Sequence, residues 1–423
     1  MIRGAPTAGR AALGAGLLAL LAARTAGQAP PPIDRPLSIE EIEAAAAGLV
    51  ARHPDWIRLE TVGVSRSGRS IVAIVLTDAA LVPAGAKPGL AVVDHLGGPD
   101  SRGAEIALAL AEDLAARRGS DPEADRLLSD VAFYLLPALD PDARAVGEEA
   151  GALPPRPVRF GRNFPLGWLP AALVPGAGDT PLSEPETLAT ARFLAARPDL
   201  VALVDALPLS PDLRPGTAEP PGIPAADLEL HRSLAGVVGP APWFAGERGG
   251  GSLVEYAYRA QGVFAFTLFL PRPLAPGPAF AEEVALRVAE VESLAASLPR
   301  VTLVEEALAP LGSGLWQLDV RLANAGRLPT RSALRRERSP GGGIRLGLEG
   351  ARLVATAVQE GEAGAYRVLA AAPGAADTIA AGDLDGGAAR GLRLVLQAEP
   401  GAEIALVGRS AAAGTARLQR ILP

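Results

Sequence analysis

Three histidines, His53, His95 and His231, and no cysteine make up the whole supply of nitrogen and sulfur metal ligands in this 423-residue chain. His95 lies in the run Asp94-His95-Leu-Gly-Gly98-Pro-Asp100, and Asp205 falls near the end of a second apolar run. One imidazole with two carboxylates would suit a borderline or hard cation. Asp94, His95, Asp100 and Asp205 all fall at strand ends that should converge on the carboxyl edge of a sheet, where ligands of α/β proteins bind. The competing reading is that isolated acids of this kind are solvated or cap backbone. His53 stands between a helix end and Pro54 and reads as structural; His231 falls on a polar helix face and is expected to be exposed. Without a cysteine or a Gly-x-Ser-x-Gly turn, the chain has no signature of a nucleophilic hydrolase.

The elements that would hold these residues alternate along the chain. Ser38-Ile-Glu-Glu41 is a capping box ahead of Ile42, Leu49 and Val50 at helical spacing, which predicts a helix to about Arg52. The β-rich runs 58–64 and 70–78 are joined by Ser-Arg-Ser-Gly, a hairpin signal. Apolar strands are predicted at 90–95, 131–137, 200–206 and 262–270, with helices at 103–118, 227–237 and 280–298. A second capping box, Ser183-Glu-Pro-Glu186, should open the helix that carries Leu188, Phe193 and Leu194. Near-continuous apolar strands between amphipathic helices mean a sheet covered on both faces. The expected fold is therefore α/β, one mixed sheet with helices on both faces over residues 36–300.

From Val301 the runs become short and strand-like, at 314–322, 344–348, 351–358, 365–370, 391–398 and 402–407, with Gly-rich turns and no helical periodicity. They predict a separate C-terminal β-sandwich over residues 301–423. The basic cluster 331–338, Arg-Ser-Ala-Leu-Arg-Arg-Glu-Arg, reads as a solvated loop. Gly341-Gly-Gly343 is a turn, since no strand-to-helix context makes it a phosphate loop.

Several landmarks recur in a telling order: Glu40-Glu41 to His53-Pro54, Ser67-Gly68-Arg69, Gly103-Ala104-Glu105, and Leu139-Asp140-Pro141-Asp142. They continue with Gly161-Arg162-Asn163-Phe164-Pro165, Pro181-Leu-Ser-Glu-Pro-Glu-Thr187 and Gly262-Val-Phe-Ala-Phe-Thr267. In order and spacing this chain resembles the zinc metallocarboxypeptidases, the carboxypeptidase A-like enzymes, over residues 36–300. The last region, through Val320-Arg-Leu-Ala-Asn-Ala-Gly-Arg-Leu-Pro-Thr330, resembles the β-domain that some bacterial members append.

The resemblance implies a hydrolytic zinc with three protein ligands and an open position for an acidified water. In the family an H-x-x-E pair follows the third strand and a second histidine ends a later one. Here Gly98 falls near the first histidine position, and His95, with Gly98 three residues on, cannot rebuild the pair. Ala206 stands near the second histidine position. Where the family strand ends F-T-x-E-L, this one reads Phe266-Thr-Leu-Phe269-Leu270, so Phe269 replaces the glutamate that activates the metal-bound water. A phenyl ring cannot take a proton, and general-base help of roughly 10²–10⁴-fold is lost with it. Small or apolar replacements make sense as a set, because deep carboxylates without a metal would be unpaired.

The family also grips the peptide's terminal carboxylate with an Asn-Arg pair. Gly161-Arg162 keeps only the arginine, so Arg162 is the candidate substrate-binding residue, with an internal salt bridge or loop hydrogen bond as the alternative. Trp243 and Phe244 are the nearest aromatics to the family's pocket tyrosine, and Arg156 and Arg159 are further basic residues expected to be exposed.

Composition bounds the rest. With 49% hydrophobic and 21% charged residues the chain is globular, and a net charge of −7 gives no footprint for nucleic acid. Met1-Ile2-Arg3 and Arg10 precede an uncharged apolar run at 11–23, shorter than the roughly 20 residues of a bilayer span. Residues 1–29 thus read as a signal peptide with cleavage near Gly27 or Ala29, leaving a secreted or periplasmic protein with no membrane span. The expectation is a pseudoenzyme with no catalytic residue, metal or cofactor, binding peptide C-termini or cell-wall peptides or serving a structural role. The alternative is an active zinc metallocarboxypeptidase with an unrecognised site.

Overall fold

A computed structural model describes residues 33–78, 84–94, 102–150, 158–208, 222–234, 250–270, 275–360, 364–369 and 378–423. The proposed signal peptide lies outside them. The first helix, α1 (Ile39–Arg52), starts as predicted: Ser38 accepts the Glu41 N–H while Glu41 reaches back to the cap. Strands β1 (Ile57–Val64) and β2 (Ser70–Leu76) form the antiparallel hairpin. Strands β3 (Gly89–Asp94), β4 (Ala132–Leu136), β5 (Leu200–Pro208) and β6 (Phe264–Leu270) complete one six-stranded sheet of order β1-β2-β4-β3-β5-β6. The hairpin runs antiparallel to β4, whereas β3, β4, β5 and β6 are mutually parallel, so the sheet is mixed.

Strands β3 and β4 are buried at every residue, as two-sided cover requires. Cover comes from α2 (Gly103–Arg117), α3 (Pro122–Asp130), α4 (Pro141–Ala150), α5 (Pro185–Ala195), α6 (Ala225–Leu234), α7 (Leu253–Gln261) and α8 (Pro278–Ala296). The second capping box does not form. Glu184 is the N-cap of α5 and makes no side-chain cap bond, because Ser183 is engaged by Asn163 and Glu186 by the backbone of Arg66. Tertiary partners outbid the local motif.

The remaining chain forms two antiparallel sheets. Strands β7 (Val301–Gly312), β8 (Leu315–Asn324), β10 (Arg352–Glu360), β11 (Tyr366–Leu369) and β13 (Ala389–Gln397) make one, in the order β11-β10-β13-β8-β7. Strands β9 (Ile344–Glu349), β12 (Thr378–Gly382), β14 (Glu403–Ser410) and β15 (Gly414–Ile421) make the other. Period-two burial, clearest in β9 and β15, puts Leu318, Val320, Leu392, Leu394, Leu346 and Leu406 into a shared core.

One expectation here is corrected. The cluster 331–338 is not a solvated loop: it holds a short helix, α9 (Ala333–Arg338), and Arg331 is buried in a two-pronged bond to Asp383 at 2.8 and 2.7 Å. Six residues are too few to show helical periodicity, and the helix is capped by Ser332 and by a carboxylate distant in sequence.

Candidate functional site

The carboxyl ends of β3, β5 and β6 lie side by side. In register, Asp94 pairs with Ala206 and Ala206 with Leu268; Asp205 pairs with Thr267 and Leu207 with Phe269. Asp94, Asp205 and Thr267 are buried and Phe269 is half-buried. Ala206 is 0% exposed. A Cβ on Gly103, the first residue of α2, would lie 2.6 Å from Asp94 Cα, 2.7 Å from Asp94 Oδ1 and 3.0 Å from Ala206 Cβ. The helix start therefore sits directly on these strand ends, and an imidazole at position 206 could fit only by displacing it. Thr267 Oγ1 is buried and meets no hydrogen-bond partner among the described residues.

This donor set does not fit a hydrolytic zinc. Among the described residues no group of three or more His, Asp or Glu side chains is placed to hold a metal ion. The strand ends present an alanine and a phenylalanine where a ligand and a base would be needed. His95, Gly98 and Asp100 lie outside the described residues, as do Arg156, Trp243 and Phe244. Of the acids considered for a relocated site, the structure thus places only Asp94 and Asp205, on adjacent strands but not as direct register partners.

The other two histidines are structural. His53 caps α1 by donating its backbone N–H to Leu49 and Val50, and its ring lies 4.9 Å from Trp56. His231 is corrected: it is 2% exposed, not on a solvent face, and its ring stacks on Phe266 at 4.6 Å and 11°. Burial pushes its pKa down to about 3, so the ring is neutral at ordinary pH. The polar neighbours of His231 on α6 suggest a solvent face, but α6 turns His231 inward together with Asp227 and Leu234.

The motif residues do come together, but as braces. Asp142, in the Asp-Pro-Asp motif, accepts Ser65 Oγ at 2.8 Å and the Ser67 N–H at 2.9 Å, fixing the hairpin turn in which Gly68 has φ +84°. The next residue of that turn, Arg66, donates its N–H to Glu186 at 2.9 Å and its guanidinium to Glu184. Asn163 is fully buried and serves as a hub: its amide donates to Ala177 O, Thr180 O and Ser183 Oγ, and its oxygen accepts Thr187 Oγ1 at 2.6 Å. Glu105 and Arg144 form a buried ion pair whose partners also hold both backbone groups of Leu37. These bracing roles of Glu184, Glu186 and Asn163 are not readable from the sequence, where the sole signal is that the residues fall in the motifs.

Arg162 ends the short 3₁₀ turn Phe160–Arg162 and is partly exposed. Its guanidinium donates to Pro175 O at 2.7 Å, so one of its five donors is committed to the loop. Arg159 beside it is exposed.

Residues 42–206 match the family profile described as zinc carboxypeptidase, and residues 300–420 match one described as a domain of unknown function (DUF8731). Carboxypeptidase D of Rattus norvegicus is 26% identical over 147 residues, 34% of this chain and 10% of that protein. Carboxypeptidase D of Homo sapiens is 35% identical over 121 residues, 24% of this chain and 8% of that protein. The chain thus spans only about 10% of the length of the rat relative. The crystal structure of thrombin-activatable fibrinolysis inhibitor matches with TM-score 0.52 at 16% identity, over 62% of this chain and 75% of that one. The bovine inhibitor in complex with tick carboxypeptidase inhibitor matches with TM-score 0.50 at 16% identity, over 62% and 98%. At such identity these structures establish the fold alone. Through residues 42–206 of its α/β region, the chain is similar to the zinc carboxypeptidase family.

Proposed function

We propose that this chain is an exported carboxypeptidase-like protein without hydrolytic activity, acting as a peptide-binding or structural module. The observation that carries this reading is the packing at the strand ends. Ala206 is sealed beneath Gly103 where a histidine ligand would project, and Phe269 stands where a general base is required. Losing a ligand and the base together removes both the acidified water and its proton acceptor. The ligand inherited from such a scaffold is a free peptide carboxylate, including cell-wall peptides, held by Arg162. Export rests on the charged and apolar pattern of residues 1–29, and no helix among the described residues is long and apolar enough to cross a membrane.

The test is incubation of the purified chain with free-C-terminus peptides in the presence of zinc, followed by mass spectrometry. No loss of terminal residues is expected. Release that a chelator abolishes and zinc restores would instead establish the second reading, an active zinc carboxypeptidase, which the family match over residues 42–206 favours.

A further inference from the structure

The α/β unit contains a buried group that its own elements do not satisfy. Asp227, on α6, is 2% exposed, and its carboxylate accepts one bond from its own unit, Tyr258 Oη at 2.7 Å. Two further bonds come from the C-terminal unit: the N–H groups of Ala333 at 2.8 Å and Leu334 at 3.1 Å, at the start of α9. Those same N–H groups open a helix and need acceptors. Each unit thus supplies what the other lacks.

The surrounding contacts repeat the pattern. Ser332 Oγ donates to Gly262 O at 2.7 Å, and Arg335 donates to Pro198 O at 3.0 Å and Leu200 O at 3.3 Å. Arg338 bonds the carbonyl of Arg259. Gly262 has φ +68°, and a Cβ there would meet Arg335 Cβ at 2.8 Å and Ser332 Oγ at 2.9 Å, so its glycine is required twice. Leu328, Leu334 and Ala412 of the C-terminal unit are packed into the core of the α/β unit, not that of the sandwich. Removing the sandwich would strip a buried carboxylate of two of its three bonds and open that core, both strongly destabilising.

We propose that the region matching a domain of unknown function serves as a built-in brace of the α/β unit, with α9 seated on Asp227 as its fastening point. The two units then unfold as one cooperative body. An appended binding module, joined by an ordinary inter-domain contact, would unfold on its own.

Differential scanning calorimetry of the full chain tests this. A single transition is expected, with van't Hoff and calorimetric enthalpies equal. Two resolved transitions would overturn the proposal without any variant. Asp227→Ala should lower the midpoint by several degrees or split the transition. Arg338→Ala, a milder change at an exposed residue, should lower it by less, and it covers the case in which Asp227→Ala fails to fold. Arg338→Ala and Asp227→Ala both leaving the midpoint unmoved would also overturn the brace.

Discussion

Asp142 holds the Ser67 N–H at 2.9 Å, so two of the chain's family motifs, far apart in sequence, are each other's partners. Ser65 Oγ joins the same carboxylate at 2.8 Å. Their role is to fix the β1–β2 hairpin onto α4, a structural task that does not depend on catalysis. Asp142→Ala should cost about 1.5–3 kcal/mol, the range for hydrogen bonds to a charged group. Urea denaturation would show this as a lower midpoint with an unchanged slope. An unmoved midpoint would mean that the pairing contributes nothing to stability.

The packing of α2 on the strand ends makes a second prediction. Gly103→Ala places a methyl 2.6 Å from the Asp94 Cα, and backbone cannot swing aside as a side chain can. Overpacking of this kind costs about 1–3 kcal/mol, against a gain of roughly 0.5–1 kcal/mol when glycine is replaced by alanine in an unobstructed helix. Destabilisation in a thermal melt is expected. A stabilised protein would show that the strand ends are open instead of sealed.

His231 gives a pH signature. Its folded pKa is lowered from 6.5 to about 3, so the unfolded chain binds the proton first as pH falls. Stability from keeping the ring neutral is fully present above about 6.5 and is lost progressively toward about 3, with a slope of at most about 1.4 kcal/mol per pH unit. His231→Phe should flatten stability against pH in this window relative to the parent. Parallel curves for the two proteins would contradict the burial argument.

Arg162 separates an inherited ligand site from a loop brace. If it grips a terminal carboxylate, Arg162→Ala should weaken a free-carboxylate peptide by about 1.5–3 kcal/mol in calorimetric titration. Amidating the peptide should cost a similar amount, and the two changes together little more than either alone. If amidation makes no difference to the parent, Arg162 serves the loop, through its bond to Pro175 among others, and not a peptide terminus.

Much of this architecture was legible in the sequence because burial writes itself into periodicity. The run in β4 is apolar throughout and those in β3 and β6 nearly so, broken only by Asp94 and Thr267, and Ser38 with Glu41 announces α1. For the chemistry, the sequence supplies Ala206 and Phe269 as the positions that bear on the proposed reading, and the structure places them at the ends of adjacent strands β5 and β6. What escaped depends on partners far along the chain. Glu186 is drawn away from a capping box by Arg66, His231 is turned inward against Phe266, and α9 owes its start to Asp227. Local pattern cannot show such exchanges, since each partner lies well outside the local window.

The central claim is that the strand ends can neither hold a hydrolytic metal nor activate a water on it. Elemental analysis of the purified full chain, after equilibration with zinc and removal of free metal, tests this most directly. The account predicts far less than one zinc per chain; one tightly held zinc per chain, removable only by a strong chelator, would contradict it.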